Sequence, residues 1–257
     1  MKSISISKQE LVIEPPLMNA AGMLGFAPDL HSVIDYSCLG AFITNPISLR
    51  PRMAASAQRI NKFPGGLLIH TGYPNPGLNT ILKTCASHWS RSPIPIIVHL
   101  LAQDEKQIYK MVSRLEGLES VEGVEIGFPS QVDAELACNM LQAAAGELPV
   151  IARLPFEEAE NLLPVISTRT NVNAVSLAPP RGILPVSRET MVEGRLYGPN
   201  VFPWSLALTQ KIAAGNLPVV TAGGIYTQEQ IEIMLSVGAF GVQVDTVLWR
   251  SGTKTLT

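Results

Sequence analysis

Short apolar runs followed by amphipathic helices recur along this chain, eight runs in all, with no linker or composition break between the units. The runs at 17–20, 40–44, 94–100, 121–126, 149–154, 172–177, 217–221 and 240–244 are rich in Val, Ile, Leu and Ala. They are apolar at successive positions rather than at alternate ones, which is the pattern of parallel strands buried on both faces. The segments 28–36, 77–89, 105–117, 131–145, 157–167, 201–214 and 228–237 carry helical periodicity, and Asp104 and Thr227 stand where N-caps are needed. Strict βα alternation with right-handed crossovers closes as an α/β (β/α)8 TIM barrel, with residues 1–257 as one domain. An open doubly wound sheet is the competitor, but eight even units show no switch point.

Two connections are too long for ordinary turns, 45–76 and 178–199. The first is rich in Pro, Gly and basic residues and reads as a functional excursion over one end of the barrel. Chemistry in such a barrel sits at the C-terminal ends of the strands, so the last residues of each strand are the candidates. A hydrophobic content of 46% and a charged content of 16% support a large core, and a net charge of −2 argues against nucleic acid or an anionic membrane as partner. Three cysteines with no ligand spacing point to no metal and no disulfide framework; with no signal peptide and no membrane-spanning run, a soluble cytoplasmic protein is expected. Only thirteen residues follow Val244, too few for a full closing helix. The wall beside the first and last strands is therefore expected to be partly uncovered, with Leu248 and Trp249 free to pack against a second copy in a homo-oligomer.

The turn Ala222-Gly223-Gly224, between a buried strand and a helix, presents backbone N–H groups suited to a phosphate, although a tight turn alone explains it as well. His99 and Glu125 end neighbouring strands and Arg153 the next, so alternation can turn all three into the mouth. Glu125 and Arg153 read either as an acid–base group beside a cation or as a structural ion pair. His70, in the long excursion, is either a substrate contact or a solvated loop residue. A small-molecule substrate is the expected partner.

Ordered along the chain are NAAG at 19–22, GAFIT at 40–44, YPNPGL at 73–78, PIIVH at 95–99, ARLP at 152–155, GRLYGP at 194–199, TAGGI at 221–225 and VQVDT at 242–246. In order and spacing they resemble the dihydroorotate dehydrogenase family of FMN-binding barrels, over residues 17–249. The resemblance implies an FMN site built from Ala21, Gly22, Asn45, Arg153, Gly194, Gly223, Gly224 and Thr246. Within it, Arg153 replaces a lysine beside the flavin ring, Asn45 replaces another lysine, and Asp245 replaces a glycine near the phosphate.

The resemblance also places a Cys or Ser base where this chain has Phe128, which can abstract no proton. The asparagines that hold the pyrimidine have Ile69, Glu125, Ser130 and the 178–179 region in their place. Two functions follow as expectations. One is an FMN oxidoreductase acting on a substrate other than dihydroorotate, with Glu125, His70 or His99 moving protons. The other is a flavin-free barrel that binds a phosphorylated metabolite as a lyase or isomerase, or serves in binding and assembly.

Overall fold

Strands that are apolar on both faces must be covered on both sides, and the tertiary structure supplies both covers. The computed structural model describes residues 10–56, 59–129, 132–185 and 187–256. In chain order its strands are β1 (Leu17–Asn19), β2 (Phe42–Ile43), β3 (Ile47–Ser48), β4 (Ile60–Phe63), β5 (Gly66–Ile69), β6 (Ile96–Leu101), β7 (Val121–Gly127), β8 (Val150–Leu154), β9 (Ala174–Leu177), β10 (Arg181–Pro185), β11 (Met191–Tyr197), β12 (Val219–Ala222) and β13 (Gly241–Val244). The α-helices are α1 (Leu78–Trp89), α2 (Glu105–Leu115), α3 (Ala134–Ala144), α4 (Ala159–Arg169), α5 (Phe202–Ile212), α6 (Gln228–Ser236) and α7 (Val247–Ser251).

Parallel pairing runs β1-β13-β12-β9-β8-β7-β6-β2, and a bridge from Met18 to Ala41 joins β1 to β2. The expected (β/α)8 barrel is therefore what the chain forms. Outward side chains such as Val98, Val124, Ala152, Val175 and Val242 pack in one cluster with the helices. Inward, Met18, Ile43, Ile97, Ile151, Ala174 and Val220 fill the barrel as a second, smaller cluster. Two residues further along their strands, the inward positions turn polar: His99, Glu125, Arg153, Ser176 and Gln243, all buried. The expected caps form, Asp104 accepting from the Gln107 N–H at 2.8 Å and Thr227 from the Gln230 N–H at 3.3 Å.

The structure departs from the sequence reading in four places. No α-helix forms over 28–36; only a short 3-10 turn at Tyr36–Cys38 is present, and His31 lies in a turn. Side-chain oxygens there capture nearby backbone N–H groups, Asp29 that of His31 and Asp35 that of Ser37, and so compete with helical bonding. The two long connections are not loops. They meet as an antiparallel sheet in the order β10-β11-β5-β4, with Arg195 opposite Ile69 across β11 and β5. The helix expected from residue 131 starts at Ala134 behind an Asp133 cap, and Gln131, like Ser130, lies outside the described residues.

The fourth departure is at the end of the chain. Leu248 is 3% exposed and packs in this chain's own core, so it is not available to a second copy. The short α7 and the residues after it close the seam: Trp249 Nε1 donates to the Met23 carbonyl at 2.8 Å, and the Asp35 N–H donates to Thr253 Oγ1 at 3.0 Å. Part of the Trp249 ring remains exposed.

Candidate active site

The polar layer of the barrel is organised by one carboxylate. Glu125 has no exposed surface, and each of its oxygens is shared. Oε2 accepts from His99 Nδ1 at 2.5 Å and from Arg153 at 3.0 Å; Oε1 accepts from Ser176 Oγ at 2.6 Å and from Gln243 Nε2 at 2.7 Å. Burial by itself would raise the Glu125 pKa. The Arg153 charge and the bonds from His99 and Ser176 outweigh it and hold the group well below the usual carboxylate range.

An ionised carboxylate can only accept, so His99 Nδ1 must carry its proton. Burial, which outweighs the pull of Glu125, lowers the His99 pKa and favours the neutral ring. The other nitrogen, Nε2, is then a bare lone pair. It lies above Gly127, where an added Cβ would come within 2.7 Å of it. The pairing of carboxylate and imidazole leaves a base whose tautomer is set by its partner.

His99 and Arg153 form part of the lining of a cavity of about 790 Å³ at the C-terminal mouth of the barrel. Tyr73, Arg195 and Phe128 line it as well, with Glu157, Glu158 and Glu193 exposed at its rim. Phe128 borders the space without filling it. Tyr73 has a left-handed backbone (φ 52°), a costly conformation for an aromatic residue. Buried Asn75 holds it there: its amide donates to the Tyr73 carbonyl at 3.1 Å, while its oxygen accepts from Gly77 N–H at 3.0 Å. Arg195 donates to the Pro179 carbonyl at 2.7 Å and reaches the same cavity.

Of the residues expected for a cofactor, Ala21 and Arg153 line this cavity. Gly22 has φ 94° and sits 3.9 Å, measured from a hypothetical Cβ, from the Pro46 ring. Asn45 does not reach the cavity lining. Its oxygen accepts from the Gly25 N–H at 3.1 Å, which ties the loop after β1 to β2. Gly194 lies in β11, where a Cβ would press on the Ile69 carbonyl at 2.7 Å, so it serves the strand pairing. His70 is exposed at the end of β5 and stays off the cavity. The expectation that it reaches the mouth is not met by the lining, which draws Arg181, Glu193 and Arg195 from the same outer sheet but not His70.

The glycine turn is tighter than the sequence suggests. Gly223 and Gly224 have φ of 107° and 74°. A Cβ on Gly224 would overlap the Phe202 backbone nitrogen, and one on Gly223 would press on Ser205 Oγ. Both glycines are thus required by the close approach of the start of α5. The donors at the end of β13 already have an acceptor. Asp245 is 2% exposed and accepts from the backbone N–H and the hydroxyl of Thr246. Thr246 also shares a 2.6 Å bond with the Tyr226 hydroxyl. Neither Arg195 nor Arg250 pairs with Asp245 among the described ion pairs. A buried carboxylate therefore already takes the Thr246 donors beside a cavity of about 350 Å³ lined by Gly198, Tyr226 and Arg250, and its charge does not fit the phosphate of an FMN.

Tyr73 and Arg195 belong to the cavity but escape a reading based on the ends of the barrel strands, and Gly127 ends β7 one residue beyond the expected run. Their signals were the YPNPGL and GRLYGP segments and the glycine just before Phe128.

Comparison with known proteins agrees with the barrel and its order of motifs. A family model described as "Dihydroorotate dehydrogenase" matches residues 5–257. The chain is 27% identical to the catalytic subunit of dihydroorotate dehydrogenase B (NAD(+)) from Citrifermentans bemidjiense, covering 95% of this chain and 86% of that protein. The corresponding subunit from Geobacter sulfurreducens is 28% identical with the same coverage, and that from Desulforudis audaxviator is 26% identical over 92% of this chain and 83% of its own.

Proposed function

The chain belongs to the dihydroorotate dehydrogenase family, and from that premise we propose that it acts on a small anionic molecule other than dihydroorotate, by proton transfer at the barrel mouth. The observation that carries this reading is the Glu125–His99 pair beneath an open cavity, beside a phenylalanine where the family resemblance puts a base. Glu125 holds the imidazole and sets its tautomer; it is not itself free to exchange protons, since all its bonds are internal. His99 Nε2 takes the proton. Arg153 and Arg195 supply positive charge at the cavity lining for a carboxylate or similar group. Tyr73, held by Asn75, covers one side. The matching reaction class is isomerisation or elimination next to an acidic group, in which a proton leaves carbon and returns to carbon or oxygen.

Family membership and the retained cation Arg153 favour a second reading, an FMN oxidoreductase acting on a substrate other than dihydroorotate. When bound, FMN supplies hydride transfer; the buried carboxylate beside the glycine turn counts against it here. A site that hydrogen-bonds a polar ring loses several orders of magnitude when its partners are replaced by groups such as Ile69, so dihydroorotate turnover is not expected under either reading.

The test combines a visible spectrum, a dihydroorotate oxidation assay and thermal-shift screening against small carboxylates. We expect a colourless protein, no dihydroorotate oxidation, and stabilisation by a subset of the acids that Arg195→Gln abolishes. A yellow protein that oxidises dihydroorotate would overturn the proposal. A yellow protein that oxidises another substrate would establish the second reading.

A further inference from the structure

We propose that Asp245 is an internal substitute for a phosphate, and that this one side chain decides that the barrel takes no FMN. The argument rests on occupancy and charge. A phosphate at this turn would need the N–H groups of the residues at the ends of β12 and β13. The N–H and the hydroxyl of Thr246 already point at the Asp245 carboxylate. Gly223 and Gly224 pack directly on Ser205 and Phe202, and a cavity of about 350 Å³ lined by Gly198, Tyr226, Thr246 and Arg250 opens beside the turn, so the charge of Asp245 rather than a lack of room turns a phosphate away. An incoming phosphate would carry nearly two negative charges into contact with a buried carboxylate. No guanidinium or ammonium group among the described residues forms an ion pair with Asp245 to relieve that repulsion.

The same arrangement explains why a buried acid is tolerated here without a cation. Two donors, the Thr246 N–H and hydroxyl, satisfy it in place, which is how a turn ordinarily holds a bound anion. Burial raises the Asp245 pKa in spite of those donors, as expected for a charge with no opposite charge in contact. Asp245 is therefore a specificity residue, acting through exclusion. The inference is independent of which small molecule the mouth accepts.

The test is a binding titration of wild-type protein, Asp245→Gly and Asp245→Asn with FMN, riboflavin and inorganic phosphate, followed by flavin fluorescence and visible absorption. Asp245→Gly empties the turn, and Asp245→Asn removes the charge while keeping the bulk. The expected result is that Asp245→Gly binds FMN at least about tenfold more tightly than wild type, a gain of ~1.4 kcal/mol. Inorganic phosphate should compete with that binding, and riboflavin should gain nothing from the substitution. Wild-type protein that binds FMN as tightly as Asp245→Gly would overturn the proposal. So would a cooperatively melting Asp245→Gly with no gain for FMN. If Asp245→Gly does not fold, Asp245→Asn decides: a gain for FMN over riboflavin supports the proposal, and equal behaviour of the two flavins overturns it.

Discussion

The mouth of this barrel has two sides that treat negative charge in opposite ways. Above β6, β7 and β8, the acid is Glu125, neutralised from within by Arg153 and hydrogen-bonded by a neutral His99, and the space above it stays open. Above β12 and β13, the acid is Asp245, held by the neutral donors of Thr246, and the glycine turn beside it packs directly on α5. One side spends a buried carboxylate on orienting a base beneath a cavity; the other uses one to take the donors of an anion site. A shared fold can therefore keep its donors and its cations while exchanging what they bind.

The sharpest way to break the comparison is Glu125→Gln. It leaves Arg153 buried without its partner, and we expect a loss of about 3–5 kcal/mol, read by chemical denaturation. A loss below about 1 kcal/mol would mean that the polar layer is not held by charge. Next is Gly224→Ala, which puts a Cβ into the start of α5 at a left-handed residue; about 1–3 kcal/mol is expected from the same measurement. Near-neutral behaviour would show that the packed turn has slack for a ligand.

The two acids also differ in their pH response. Glu125 has a lowered pKa, so its stabilisation is present above the unfolded carboxylate value and is lost as pH falls through the lower folded value. His99 is lowered as well: below about pH 6.5 the unfolded chain takes up a proton that the native ring resists, so stability falls with pH there, and His99→Gln should flatten that part of the profile. Asp245 is raised, so it costs stability as pH rises through its folded value. Asp245→Asn should therefore melt higher than wild type at neutral pH, with the advantage shrinking in acid. A lower melting temperature at pH 7 would contradict the assignment of Asp245 as a buried charge with no ion-pair partner among the described residues. The smallest effect is reserved for the rim. Arg181 and Glu193 meet at 2.6 Å but are 40% and 54% exposed, so Arg181→Ala should cost under about 1 kcal/mol and less in high salt.

Much of the architecture was legible in the chain. Largely apolar runs such as 94–100 and 149–154 became β6 and β8 because a strand apolar on both faces has few places to go. Asp104 and Thr227 cap their helices because capping involves residues three apart. The stretch 28–36 failed as a helix for an equally local reason, side-chain oxygens capturing backbone donors. The outer antiparallel sheet was hidden because Ile69 and Arg195 pair across more than a hundred residues, with no periodicity in either segment to announce it.

By itself, then, the order of residues determined the barrel, the placing of His99, Glu125 and Arg153 at strand ends, and the presence of an acid at 245 where a phosphate cradle prefers none. Only the tertiary structure decided what those acids do. Glu125 is anchored by Gln243 from a strand 118 residues away, and Asp245 is held at the turn because Thr246 aims its N–H and hydroxyl at it. Whether a buried charge becomes an anchor, a base's partner or a plug depends on which donors the closing of the barrel brings around it, and no local pattern along the chain encodes that.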